Sequence, residues 1–207
     1  MPFPWRSAMS QSIEFWFDFA STYSYVAALR VEALCEVAGL KVNWKPFLLR
    51  PLFTEQLGIR DSPFNAFPVR GRYMWRDLER LCAKYSLPWC RPKAFPRNSV
   101  LAARVACVAG EESWGPEFVR AVFRANFADD LEIGDASVLA DVLDEMGLPS
   151  KEILQRAVSP EIKDRLRAHT TEASTLGMFG APTFLVSGEM FFGQDRLEDA
   201  IRWAVTR

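Results

Sequence analysis

Residues 13–46 read IEFWFDFASTYSYVAALRVEALCEVAGLKVNWKP. Ile13, Phe15, Phe17 and Phe19 alternate with Glu14, Trp16 and Asp18, a two-residue period that predicts a central strand from Ile13 to Phe19. Ser21-Thr22-Tyr23-Ser24 then supplies helix-start residues. Ala27, Ala28, Val31, Leu34, Cys35 and Ala38 recur at helical spacing until Gly39, so one helix is expected from the serine turn to the glycine. Leu40, Val42 and Trp44 alternate again before Pro46 ends the pairing. This is a β-α-β unit, whose two strands should be parallel.

Outward from this unit the pattern changes. From about residue 73 to 176 every periodic segment reads as helix: Met74, Leu78, Leu81 and Tyr85; Val100, Leu101, Val105 and Val108; Phe118, Val119, Val122 and Phe123; Leu139, Val142 and Leu143. Ser159-Pro160-Glu161 starts a further helix with an N-cap serine, a first-turn proline and an acid that complements the dipole, and Gly177 should end it. Strands return with Thr183-Phe184-Leu185-Val186, a Ser187-Gly188 turn and Glu189-Met190-Phe191-Phe192, an antiparallel hairpin. A last helix is expected from about Asp195 to Val205.

The chain's 207 residues, 49% of them apolar, suffice for one domain with a large insertion. A net charge of −1 gives no field for nucleic acid or an anionic membrane, and favours small-molecule partners. Cys35, Cys82, Cys90 and Cys107 form no C-x-x-C pair, and His169 is the only histidine, which argues against a metal site or a dithiol redox pair. No apolar run is long enough to span a membrane and no signal-peptide order opens the chain, so a soluble cytoplasmic protein with reduced thiols is expected. The opening segment reads as a tail, and Met9 is an alternative start.

A β-α-β half followed by a β-β-α half is the layout of the thioredoxin fold, here α/β with a large all-helical insertion, as in DsbA and kappa-class transferases. The expected division is a thioredoxin-like domain of residues 10–66 and 177–207, an insertion of 67–176 and a tail of 1–9. The reactive group of that fold sits at the N-terminus of the first helix, where unpaired N–H groups stabilise an anion. Ser21 and Ser24 in that turn cannot form a disulfide, so any sulfur arrives with a ligand. Read alone, Ser21 is an N-cap. Pro182, in Gly180-Ala181-Pro182-Thr183, is compatible with a cis proline or with an ordinary strand start. Asp195 with Glu198 has capping-box spacing, and Asp195 has lone pairs left for a ligand ammonium.

Together, Phe17-Asp18-Phe19-Ala20-Ser21-Thr22-Tyr23-Ser24-Tyr25, Phe179-Gly180-Ala181-Pro182-Thr183 and Phe192-Gly193-Gln194-Asp195-Arg196-Leu197 resemble the 2-hydroxychromene-2-carboxylate isomerases, related to kappa-class glutathione transferases and DsbA-type oxidoreductases. The resemblance implies a homodimeric, glutathione-dependent cis–trans isomerase of an aromatic unsaturated 2-oxo acid, serving aromatic-compound (naphthalene-type) degradation. It implies Ser21 as the catalytic serine and Ser21, Tyr23, Asn65, Ala181, cis Pro182, Gln194 and Asp195 as the glutathione contacts, with Gln194 and Asp195 holding the γ-glutamyl end. Ser21 would donate a hydrogen bond to the thiolate. Thr22 stands where the family has proline, leaving a less rigid turn and adding a hydroxyl toward the site. Arg70, Arg72, Lys93 and Arg97 are candidates for ligand carboxylates or a solvated rim, and Phe64, Phe67, Tyr73 and Trp89 for an aromatic pocket or the core. A kappa-like transferase, a DsbA-like oxidoreductase and a non-catalytic glutathione-binding protein are the competing readings.

Overall fold

The computed structural model describes residues 12–110 and 112–206, so the tail and Met9 lie outside the described residues. The strand expected over residues 13–19 is β1, Ser12–Phe17. It stops two residues early because Asp18 turns the chain: its Oδ1 accepts from the Ala20 N–H at 2.9 Å and its Oδ2 from the Leu49 N–H at 2.8 Å. The single helix expected to follow is two, α1 (Thr22–Ala28) and α2 (Val31–Val37). At the break the Arg30 N–H bonds back three residues to the Ala27 carbonyl at 3.0 Å, a tighter turn than an α-helix makes. No proline or glycine marks this place, so periodicity alone reads through it.

β2 (Lys41–Pro46) lies parallel to β1, from Ser12 opposite Lys41 to Phe17 opposite Pro46. Eight helices among the described residues then intervene: α3 (Leu49–Leu57), α4 (Pro63–Ala66), α5 (Pro68–Tyr85), α6 (Val100–Ala109), α7 (Gly115–Phe127), α8 (Ala136–Glu145), α9 (Ser150–Ala157) and α10 (Pro160–Thr175). Ser159 caps α10 as expected, accepting from the Ile162 N–H, and Gly177 follows its end with φ 77°. The helices α3, α4 and α9 were not expected: α4 is a single turn and α9 little more than two, while α3 carries Leu49, Leu52, Phe53 and Leu57 at helical spacing with Pro51 in its first turn.

β3 (Thr183–Val186) and β4 (Glu189–Phe192) form the expected hairpin, and β3 pairs antiparallel with β1. Ser187 and Gly188 both have positive φ, as a two-residue hairpin turn of the strands' own twist requires. The sheet order is β2-β1-β3-β4. The last expected helix opens with a 3₁₀ turn (Gln194–Arg196) and continues as α11 (Leu197–Thr206). Asp195 makes no capping hydrogen bond there, and its expected capping-box partner Glu198 pairs with Arg30 instead.

Both faces of the sheet are covered. Phe15 and Phe17 stack at 5.2 Å, Phe15 stacks on Phe184, and this face continues through Phe19 and Phe123 into the helical insertion. On the other face Trp16 packs with Phe47, Leu52, Ala173 and Met178 beneath α3 and α10. A central strand buried on both faces explains why Trp16, in the polar half of the alternation, is fully buried.

Candidate functional site

The serine turn hangs from the end of β1. The Ser21 N–H bonds to the Asp18 carbonyl at 2.9 Å, and Ser21 takes the extended backbone of an N-cap, its Oγ accepting from the Ser24 N–H at 3.1 Å. The same Oγ donates to the Ala181 carbonyl at 2.9 Å, a buried bond across 160 residues of sequence. The Ala181–Pro182 peptide is cis, as the resemblance implies; a second cis bond, Phe95–Pro96, was not expected. Among the described residues nothing accepts from the N–H groups of Thr22, Tyr23 or Ala181. The Ser24 hydroxyl is buried with no partner there. Thr22 is 1% exposed.

The hairpin brings up the third motif. The Gly193 N–H bonds to the Pro182 carbonyl at 2.9 Å, which ties Gln194 and Asp195 to the cis-proline corner. Gln194 is buried and its Oε1 accepts from Arg30 Nη1 at 3.3 Å, while the Asp195 carboxylate is largely exposed, with Arg196 Nε at 3.7 Å. Phe179 and Phe192 pair at 4.5 Å on the adjoining surface.

Ser21, Ala181, Pro182, Gln194 and Asp195 therefore share one corner; Tyr23 stands beside it with its hydroxyl turned to α5, and Asn65 is engaged elsewhere. The Tyr23 hydroxyl donates to Asp77 Oδ2 on α5 at 3.1 Å, and burial followed by the Asp77 charge raises its pKa above the ordinary phenol value. Asn65, exposed on α4, donates from Nδ2 to Asp61 at 3.1 Å and to the Phe95 carbonyl at 3.0 Å. The Tyr23 and Phe64 rings touch, placing α4 alongside the turn.

Arg97 does not stand in a solvated rim. It is buried and donates to Asn126, through both the backbone carbonyl at 2.9 Å and Oδ1 at 3.1 Å, and to Asp130. Lys93 also pairs with Asp130, and the Lys93 N–H followed by Arg97 holds that carboxyl down at about 2. Arg70 lies over the Phe67 ring at 4.9 Å, Trp89 packs on Trp75, and Phe67 and Tyr73 are exposed.

Asp18 is the group that periodicity could not single out. Burial raises its carboxyl pKa, opposed by the hydrogen bonds from Ala20, Leu49 and Ser99. It borders a cavity of about 410 Å³ lined also by Ala20, Leu49, Phe53, Pro96, Arg97 and Ser99. All four cysteines are free; Cys35, Cys82 and Cys107 are buried, which pushes their thiols up to about 11, 11 and 12. Thiols held that far above neutrality are poor nucleophiles. Among the described residues no cluster of histidine, cysteine and acid side chains could hold a metal ion.

Frame and turn together define the class: a thioredoxin-fold protein with a helical insertion and with serines, not cysteines, in the turn that opens its first helix. Residues 12–201 match the DSBA-like thioredoxin domain, and the chain belongs to that family. The 2-hydroxychromene-2-carboxylate isomerase of Sphingobium xenophagum is 27% identical over 190 residues, 92% of this chain and 96% of its own. Glutathione S-transferase kappa 2 of Caenorhabditis elegans is 26% identical over 201 residues, 89% of this chain and 88% of its own. The solved structure of a 2-hydroxychromene-2-carboxylate isomerase superposes with a TM-score of 0.82 at 26% identity over 91% of each chain. The resemblance read in the sequence is thus borne out, and these relatives are named as enzymes.

Proposed function

We propose that this chain is a glutathione-dependent cis–trans isomerase acting on an aromatic unsaturated 2-oxo acid of the 2-hydroxychromene-2-carboxylate type. The observation that supports it most is the buried Ser21-to-Ala181 hydrogen bond, which puts a hydroxyl donor against a cis-proline corner in a turn without a thiol. The residues present fit glutathione. The Ala181 N–H, unpaired among the described residues, and its carbonyl, once Ser21 turns away, offer an edge to an extended peptide, Asp195 offers a carboxylate to its ammonium, and Gln194 lies beside it.

Glutathione, when bound, supplies a thiolate whose reversible addition makes the substrate's double bond single and free to rotate. Ser21 stabilises the negative sulfur by donating its one proton, with the Thr22 and Tyr23 N–H groups as further donors. Because that proton is given to the Ala181 carbonyl in this structure, Ser21 must turn its hydroxyl when sulfur arrives. The cavity beside Asp18 and Ala20 receives the aromatic substrate. The same reading has the protein acting in the cytoplasm as a homodimer; among the described residues, no helix is long and apolar enough to cross a membrane.

A kappa-like transferase is the second reading, favoured by the kappa relative reported above. It would share the glutathione site and differ in keeping the adduct. Incubating the protein with 2-hydroxychromene-2-carboxylate and glutathione separates the two. Trans product with glutathione unchanged supports isomerisation, a stable conjugate supports transfer, and no reaction with either sinks both.

A further inference from the structure

Resting on the glutathione reading, we propose that Arg30 is a positioning residue that fixes Gln194 as a hydrogen-bond donor toward the ligand's γ-glutamyl carboxylate. The Arg30 side chain is 10% exposed, a low value for a cation. It lies where α1 breaks from α2, and from there it reaches three elements. Nη1 donates to Gln194 Oε1 at 3.3 Å, Nη2 pairs with Glu198 on α11, and the guanidinium sits 3.7 Å over the Tyr85 ring of α5.

A glutamine amide in a sequence is ambiguous, since one end donates and the other accepts. A guanidinium has donors only. The Gln194 atom facing Arg30 must therefore be its carbonyl oxygen, because the flipped amide would set N–H against N–H. Glu198 and Tyr85 hold Arg30 from two further sides, so the amide is locked as well as oriented. Both Nε2 hydrogens then point away from Arg30, and among the described residues no acceptor meets them. The exposed Asp195 carboxylate follows in the chain and is the opposite kind of group. A donor beside an acceptor complements an α-amino acid end group, with carboxylate on Gln194 and ammonium on Asp195.

Calorimetric titration with glutathione tests this on the wild type, Arg30→Met, Gln194→Met and the double variant, each checked for folding by its melting transition. Each single substitution should weaken binding roughly 10-fold, the size of a hydrogen bond to a charged group, and the double variant should bind no more weakly than Gln194→Met. Arg30→Lys should recover part of the affinity. Glutathione with its γ-glutamyl carboxylate converted to a carboxamide should bind the wild type roughly 10-fold more weakly than glutathione does, and Arg30→Met should bind the two alike. Wild-type binding with additive losses, or with Arg30→Met unaffected, overturns this role for Arg30 and leaves the glutathione reading standing. No binding by the wild type overturns both.

Discussion

Ser21 has one hydroxyl proton and two uses for its oxygen. Accepting from the Ser24 N–H caps α1, and this is compatible with donating elsewhere; the Ala181 carbonyl holds the proton, and under the proposed function a ligand sulfur would compete for it. Exchanging a neutral acceptor for an anionic one gains about 1–2 kcal/mol, since charge-assisted bonds are roughly twice as strong. Ser21→Ala should accordingly lower glutathione-dependent kcat/KM roughly 5- to 30-fold in steady-state assays, and lost capping should cost about 1 kcal/mol in denaturant unfolding. The cap was legible from the sequence. The competition was not, because nothing local announces a partner 160 residues away.

His169 is a second residue whose surroundings fix its chemistry. Its Nδ1 lies 3.1 Å from the Pro46 carbonyl, which only accepts, so Nδ1 carries the proton. Burial holds the imidazole pKa below its ordinary 6.5, with Lys45 and Arg165 acting in the same sense and the Pro46 contact and Glu172 opposing. A base whose folded value is depressed takes up its proton more readily in the unfolded chain. Its contribution to stability is therefore complete above the unfolded value and is lost as pH falls through and below it. Melting temperatures at about pH 7 and about pH 5 should differ more for the wild type than for His169→Gln. Equal differences would remove His169 as a source of acid sensitivity.

At the scale of elements, the β-α-β and β-β-α halves were legible because period-two and helical alternation survive wherever a face is buried. The break between α1 and α2 was hidden, since no proline or glycine stands there; Arg30, at the break, reaches Gln194, Glu198 and Tyr85, all distant in sequence. A signal existed in the lone cation between Leu29 and Val31. Two glycines show how closely neighbouring pieces approach. A Cβ on Gly71 in α5 would lie 2.3 Å from the backbone oxygen of Phe64, and one on Gly180 would lie 2.5 Å from the Phe192 ring. Backbone cannot step aside as a half-exposed ring can. Gly71→Ala should therefore lose about 1–3 kcal/mol in chemical unfolding, and Gly180→Ala less, with the Phe179–Phe192 contact broken.

Across the whole molecule, the insertion is fastened to the sheet by polar groups as well as by the shared aromatic core. Asn126 on α7 donates to the Phe19 carbonyl at 2.9 Å, just past β1, and its own oxygens hold the buried Arg97. Arg97 is thus held in place by protein partners where it borders the cavity beside Asp18, instead of standing in a solvated rim. Asn126→Ala should cost about 2 kcal/mol, or about 4–8 °C in melting temperature for a chain of this size, by leaving buried donors and an acceptor unpaired. The sequence reveals that the insertion is helical, but a knot among residues 19, 97, 126 and 130 depends on how the helices dock.

The serine turn, the cis-proline corner and the Gln194-Asp195 pair converge as one site, and the claim that unites them is that Ser21 stabilises a borrowed thiolate. The pH titration of bound glutathione's thiolate ultraviolet absorbance tests this most directly. The wild type should bind the thiol with its pKa lowered from the free value of about 8.5, and Ser21→Ala should return it upward by about one unit. Identical titrations for the two proteins, or a bound thiol that titrates like the free one, would contradict it.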